Sequence, residues 1–190
     1  MQKLKRKLTK AALLLPLASI LTACKATAMS QAPKMSEQQR RFNNMGLALV
    51  VDAVDGAVML GNEFFADGSD TPFYQSSVTR KGNRAIMAFP SGTVPERVRV
   101  VWRDSSKIVG RQDNPAENTY AGNILGDYTI PIASRIPDEV VKEIRKNGGG
   151  LRLKFRLKPD GVMFGWDIER FEGGLPRHSM PGGDFLQTAY

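Results

Sequence analysis

The chain has 190 residues, which predicts a single domain. Its 27 Lys and Arg residues against 19 Asp and Glu give a net charge of +8, but five of the basic residues lie in positions 1–23, where there is no acid. From position 24 onward, 22 basic residues face 19 acidic ones, a net charge of +3, and this composition argues against a nucleic-acid-binding domain. One Cys and one His exclude an intrachain disulfide and any multi-cysteine or multi-histidine metal site.

The N-terminus has the pattern of a secretory signal. A basic segment, 1–10, precedes an apolar segment, 11–20, that is too short to span a bilayer as a helix. The next four residues, Leu21-Thr22-Ala23-Cys24, resemble the lipobox of bacterial lipoproteins. Cys24 is the only thiol of the chain, so it is the only sulfur available for lipid attachment.

The lipobox implies that Cys24 becomes the first residue of the mature protein and carries acyl chains, such as palmitate, on its sulfur and amine. At about 0.8 kcal/mol for each buried CH₂, several chains make the anchor effectively permanent. Lys25 stands where the inner-membrane retention signal has Asp, which favours the periplasmic face of the outer membrane over the inner membrane. The chain therefore divides into a signal peptide (1–23), the lipidated Cys24 with a polar tether (24–41) and one β-rich binding domain (42–190).

Short apolar runs separated by Gly, Pro, Asn and Asp begin at Gly46 and are typical of an antiparallel β protein. Before them, Ser36-Glu37-Gln38-Gln39 has the spacing of a capping box for a short helix through Asn43, a segment so brief that it is marginal as a helix by itself. Asp55-Gly56 predicts a hairpin turn between the first two strands, and 114–126 is predicted to be a long surface loop. The predicted strands are Leu47–Val54, Ala57–Phe65, Phe73–Thr79, Ala85–Phe89, Arg97–Arg103 and Asp127–Ile132.

One longer helix is predicted to begin at Pro137 and to end at the glycines 148–150. Val140, Val141 and Ile144 supply its apolar stripe, which we expect to cover one sheet face. The sequence therefore predicts a mainly β (α+β) domain, built as an antiparallel sheet or a two-sheet sandwich with one short helix packed on it.

The last predicted hairpin has the most regular alternation of apolar and polar residues. Pairing across the loop 158–161 sets Leu153 opposite Trp166 on the buried face. The same register sets Arg152 opposite Asp167 on the other face, and a shift by one residue would scatter the apolar set. We expect Trp166 to be largely buried. If the Arg152–Asp167 pair on the outer face is exposed, substitution of Arg152 is expected to change the stability by no more than about 1 kcal/mol.

The sequence carries no recognisable enzyme motif: it has no G-x-S-x-G elbow, no P-loop and no G-x-G-x-x-G. His178 lies in a Gly/Pro-rich tail, where an exposed position is expected rather than a catalytic one. The carboxylate pairs Asp52/Asp55 and Asp67/Asp70 lack EF-hand spacing and suit turns better than catalysis or calcium binding. We therefore predict a protein without enzymatic activity, cofactor or metal.

The charges are segregated along the chain. Positions 42–79 contain five acids and no Lys or Arg, whereas positions 80–111 contain eight basic residues and two acids. Either neighbouring strands neutralise each other, or a dipolar surface steers a charged protein partner. On the second interpretation, Phe65, Asp67 and Asp70, beside a turn in the acid-only stretch, are the predicted partner-binding residues.

Four segments of the second half resemble a family of short proteobacterial lipoproteins: Val98–Trp102 (VRVVW), Tyr120–Gly122 (YAG), Arg135–Glu139 (RIPDE) and Leu151–Arg170 (with PDGVMFGWDIER). These are the Tli-type immunity proteins, often encoded beside type VI secretion phospholipase effectors. The likeness covers about 95–171. It implies that the chain binds and neutralises a secreted antibacterial lipase or phospholipase in the periplasm. The alternative is a structural or assembly lipoprotein of a cell-envelope secretion machine.

Overall fold

The computed structural model describes residues 36–86, 89, 92–110 and 118–187. These residues form a mainly β domain in which two largely antiparallel sheets pack together with one longer helix, and this confirms the predicted fold class. The elements in chain order are α1 (Glu37–Arg40), β1 (Gly46–Ala53), β2 (Met59–Ala66), β3 (Phe73–Val78), β4 (Asn83–Ile86), β5 (Arg97–Arg103), β6 (Ile108–Val109), β7 (Thr119–Tyr120), β8 (Ile124–Pro131), α2 (Asp138–Asn147), β9 (Gly150–Lys158), β10 (Gly161–Glu172) and β11 (Leu175–Gly183).

The first sheet has five strands in the order β11-β10-β9-β1-β4. Its neighbours are antiparallel except β1 and β9, which run parallel with Leu47 beside Leu151. Parallel strands need a long crossover connection, and here the connection contains the whole second sheet and α2. The five-stranded sheet thus joins the beginning and the end of the domain.

The second sheet has four antiparallel strands in the order β3-β2-β5-β8. Strands β6 and β7 form a separate two-stranded ribbon. The predicted loop at 114–126 is only partly correct, because β7 and the start of β8 fall inside it. The part of this prediction at 114–117 lies outside the described residues.

The predicted hairpin at Asp55-Gly56 is wrong. A turn does form there, with Gly56 at φ 77°, but β1 belongs to the five-stranded sheet and β2 to the four-stranded one. Both hydrogen-bonding edges of β1 are occupied, one by β4 and the other by β9, so no edge remains for β2. The turn therefore carries the chain from one sheet to the other.

Aromatic rings join the two sheets at the centre of the core. Phe64 of β2 meets Phe155 of β9 edge-on, with ring centroids 5.6 Å apart. Phe164 and then Trp166 of β10 continue the row at centroid distances of 5.4 and 5.9 Å. Helix α2 buries Val140, Val141 and Ile144, as its apolar stripe predicts, and Gly148 ends it at φ 74°.

The register of the last hairpin is confirmed residue by residue. Leu153 pairs with Trp166 and Arg152 with Asp167. Trp166 is 8% exposed, as expected from its place on the apolar face. Strand β10 is longer than predicted and pairs with β11, so the Gly/Pro-rich segment that contains His178 is a strand of the sheet and not a tail.

The first described residues belong to the folded domain. Ser36 and Gln39 form the predicted capping box at α1, and the Ser36 hydroxyl also donates to Glu96. The Arg41 guanidinium donates to the carbonyl oxygen of Ala133 at 2.7 Å and pairs with Asp138. These contacts attach α1 and Arg41 to the rest of the described domain.

Candidate functional site

The turn predicted to contact a partner lies at the end of β2. Asp67 and Gly68 both have left-handed backbones, with φ 48° and 76°. Asp67 is exposed, but its carboxylate is engaged: Oδ1 accepts from the backbone N–H of Arg97 at 2.9 Å and Oδ2 from Nε2 of Gln39 at 2.6 Å. Asp67 therefore holds the turn against β5 and α1.

Asp70 is also exposed, on the far side of the same turn. Phe65 lies on the outer face of the four-stranded sheet, half-buried, with the Arg99 guanidinium 5.6 Å from its ring centroid. Its neighbour Phe64 faces the core and is fully buried. Successive side chains of a strand point to opposite faces of its sheet, so of these two phenylalanines only Phe65 lies on the outer face.

The acid-only and basic stretches contact each other within the domain. Glu63 pairs with Arg103 at 3.1 Å across the β2–β5 ladder. Arg80 bridges Asp52 and Asp55, with N···O distances of 3.0 and 2.9 Å. These contacts are what the first interpretation describes, in which neighbouring segments neutralise each other.

The outer face of the five-stranded sheet is polar and largely covered, and we call it the charged face. It includes the Arg152–Asp167 pair, whose side chains are both 0% exposed, so the exposure on which a small effect of substituting Arg152 depends is not met. The pair is bidentate, with Nε–Oδ1 at 2.6 Å and Nη2–Oδ2 at 2.7 Å. The residues of the charged face are Asp52, Arg84, Arg152, Lys154, Arg156, Asp167 and Glu169.

A C-terminal segment, 184–187, lies over the part of this face that holds Lys154 and Arg156. Lys154 donates from Nζ to the backbone oxygen of Gln187 at 2.8 Å and lies 5.2 Å from the ring centroid of Phe185. Asp184 fastens the start of the segment, because its carboxylate accepts from the backbone N–H of Phe164 at 2.8 Å. We call 184–187 the C-terminal strap.

Burial lowers the pKa of the Lys154 ammonium, although Asp167, 3.0 Å away, favours the charged form. A lysine of lowered pKa is chemically suited to act as a nucleophile. The side chain is only 1% exposed beneath the strap, however, so a substrate has no access to it in this conformation. Lys154 therefore serves the charged face as a structural cation.

His178 is not the exposed tail residue that the sequence predicts. It lies opposite Glu169 in the β10–β11 ladder, its side chain is 12% exposed, and Nε2 is 3.4 Å from Oε2 of Glu169. Glu169 also pairs with Arg84, so its carboxylate is shared between the two side chains. The imidazole thus lies at the edge of the charged face, beside the Arg84–Glu169 pair.

A pocket of about 590 Å³ lies where β1 and β9 begin, next to the charged face. Its floor contains Gly46 and Gly150, which pair side by side and carry no side chains. Because β1 and β9 lie between β4 and β10, those outer strands supply opposite walls, with Arg84 and Ile86 on β4 and Phe171 on β10. The C-terminal end of α2 supplies a third wall.

Sequence reasoning missed this pocket. The glycines at 148–150 are interpreted only as the end of α2, and Gly46 only as the start of a strand. The signal in the sequence is the glycine at the beginning of each strand. The two glycines pair only because β1 and β9 run parallel side by side, a contact between residues 104 positions apart.

Within 36–86, 89, 92–110 and 118–187, no three His, Cys, Asp or Glu side chains are grouped to hold a metal ion. No helix in the same part of the chain is long and apolar enough to cross a membrane. Cys24, the predicted signal peptide and most of the predicted tether lie outside the described residues. Comparison of the chain with protein-family models, with curated proteins and with solved structures finds no match.

Proposed function

We propose that this chain is a periplasm-facing lipoprotein that binds and neutralises a secreted antibacterial lipase or phospholipase. The resemblance at 95–171 supplies the class of partner. The observation that favours binding over catalysis is that the buried ionisable groups are engaged in ion pairs. Lys154, Asp167 and Glu169 are almost fully buried and are engaged in ion pairs that hold the charged face together.

Neutralisation on this proposal needs affinity and location, and no chemical step. The turn at Asp67 is fastened by two hydrogen bonds, so little conformational entropy is lost when a partner contacts it. Phe65 supplies apolar area beside the turn, and the exposed Asp70 supplies a charge for steering. The lipid on Cys24 would hold this surface close to the membrane that the lipase attacks.

The test is a titration of the domain into the lipase encoded beside its gene, with phospholipid hydrolysis as the readout. We expect complete inhibition near one equivalent. The double variant Phe65→Ala, Asp70→Lys should weaken binding about tenfold, because it removes an apolar contact and reverses a charge. Asp67 is left intact, since its carboxylate holds the turn.

Asp160→Lys is the matched control for this titration, because Asp160 is an exposed acid in the turn of another hairpin. It should inhibit as well as the unchanged domain. Full lipase activity at excess domain would contradict the immunity function and leave the assembly role. Equal inhibition by all three proteins would place the interface away from the turn.

Membrane attachment is predicted to depend on Cys24. We expect Cys24→Ser to leave the chain unprocessed or to release it from the membrane fraction, because no other thiol can accept the lipid. Fractionation of cells with immunoblotting of precursor and mature forms measures both effects. A Cys24→Ser chain that still matures and fractionates with membranes would refute the lipoprotein assignment.

A further inference from the structure

The C-terminal strap lies in a groove on the charged face. It crosses β10 at Gly165, where a Cβ would lie 3.0 Å from the backbone oxygen of Phe185. The Phe185 ring then lies over two cations of β9, with its centroid 5.2 Å from Nζ of Lys154 and 4.3 Å from Cζ of Arg156. Because Gly165 has no side chain, the strap can lie directly on the backbone of β10.

Gln187 makes the polar contacts at the end of the strap. Its side-chain oxygen Oε1 accepts from Nη2 of Arg80 at 2.6 Å and from Nη2 of Arg156 at 2.9 Å. Its backbone oxygen accepts from Nζ of Lys154 at 2.8 Å. Two neutral oxygens of the strap therefore contact three cationic side chains.

Cations outnumber carboxylates around this groove. Each of the two buried carboxylates beneath the strap is shared by two cations: Asp52 by Arg80 and Arg156, and Asp167 by Lys154 and Arg152. The other carboxylates nearby are Asp55, which pairs with Arg80 and is 89% exposed, and Glu169, which pairs with Arg84 and lies 3.9 Å from Arg152. Together these are five cations against four carboxylates, one of which is surrounded by solvent.

This excess of positive charge selects the occupant that would bind best. A carboxylate in place of the Gln187 amide would accept from the same two guanidinium groups and would add an attraction between opposite charges. Gln187 is only partly buried, so a carboxylate there would keep part of its hydration. An aromatic ring in place of Phe185 would keep the contact with the cations of β9. The strap supplies the ring but only a neutral acceptor, which makes it a weaker occupant than a segment with both groups.

The strap can leave the groove without disrupting a strand. Asp184 is fixed to β10, because it exchanges hydrogen bonds with the backbone N–H and C=O of Phe164, each at 2.8 Å. Positions 185–187 belong to no strand, and Leu186 among them is 63% exposed. Segments with few buried apolar contacts open at a small cost in free energy. Opening would therefore begin after Asp184 and leave the sheet intact.

We infer that the groove under the strap is a binding site for a short segment of a partner protein in which an aromatic residue is followed two positions later by Asp or Glu, and that the strap is its displaceable occupant within the chain. The groove lies on the five-stranded sheet, whereas Phe65 lies on the outer face of the four-stranded sheet. The inference thus adds a second surface to the one in the proposed function and does not depend on it.

The charge requirement is tested with acetylated, amidated peptides of the sequence 183–187 in a backbone NMR titration of the purified protein. The peptide with Gln187→Glu should shift the amides of Lys154, Arg156 and Gly165 saturably. The peptide with Gln187→Lys should bind at least about tenfold more weakly, because it places a like charge beside two guanidinium groups. Equal binding of the two peptides, or no saturable shift with either, would overturn the inference.

Variants of the protein test whether the strap and the peptide compete. Phe185→Ala weakens the strap and increases the fraction of open groove, so the peptide with Gln187→Glu should bind this variant at least about fivefold more tightly than the unchanged protein. Gln187→Glu in the protein strengthens the strap and should weaken binding of the same peptide about fivefold. Leu186→Ala is the matched control, because its side chain is mostly exposed, and it should bind the peptide as the unchanged protein does.

The opposite directions of these two effects distinguish a displaceable strap from a fixed cover. If all four proteins keep their melting temperatures and bind the peptide equally, the peptide does not enter the groove and the inference is wrong. No lipase enters this experiment. A protein that binds the peptide as expected but does not inhibit the lipase would keep the groove and lose the immunity function, and the reverse result would lose only the groove.

Discussion

Replacing Asp167 with Ala is expected to lower the free energy of unfolding by about 3–5 kcal/mol. The side chains of Arg152 and Lys154, which contact its two oxygens, are 0% and 1% exposed. Without the carboxylate, two cations remain buried beside each other, and among the described residues Glu169, 3.9 Å from Arg152, is the one carboxylate still near them. The loss is therefore the cost of uncompensated charge and exceeds the net contribution of the intact pair.

Urea unfolding followed by circular dichroism measures this effect, and Asp127→Ala provides the matched control. Asp127 forms a bidentate pair with Arg99 at 2.7 and 2.6 Å, but both side chains are at least 40% exposed. Its substitution should change the stability by no more than about 1 kcal/mol. Similar losses in the two variants would show that the Arg152–Asp167 pair is accessible to water in solution.

The second large effect is expected from Trp166→Ala, at about 3–5 kcal/mol. Trp166 packs against the core row through Phe164 and over Gly182 of β11, where any Cβ would overlap the indole. The close-packed neighbours cannot collapse fully into the space that the indole leaves, so the cavity adds to the lost burial.

Phe171→Ala on the same strand is the control for the core variant, because the Phe171 side chain is mostly exposed. It should change the free energy of unfolding by no more than about 0.5 kcal/mol in the same urea titration. A loss below about 1 kcal/mol for Trp166→Ala would contradict the packing described here.

Local pattern was sufficient for the elements that are regular in sequence. The last hairpin was predictable to the residue, because a shift by one position turns Leu153 and Trp166 to the wrong face. Helix α2 was predictable because an apolar stripe lies between a proline and a glycine stop. The turn at Asp67 was predictable as a turn, but its hydrogen bonds to Arg97 and Gln39 were not, since they join segments about 30 residues apart.

The sequence by itself thus determined which residues pair in the last hairpin, which face of each regular element is apolar, and where the chain turns. Only the tertiary structure decided which sheet each strand joins, because β1 had its two edges taken by β4 and β9 from distant parts of the chain. Only the tertiary structure decided that Arg152 and Asp167 are buried. The alternation of apolar and polar residues separates the two faces of a strand, but it does not show what packs on the polar face. The C-terminal strap lies over that face at Lys154 and Arg156, and Gly46 meets Gly150 at the pocket beside it.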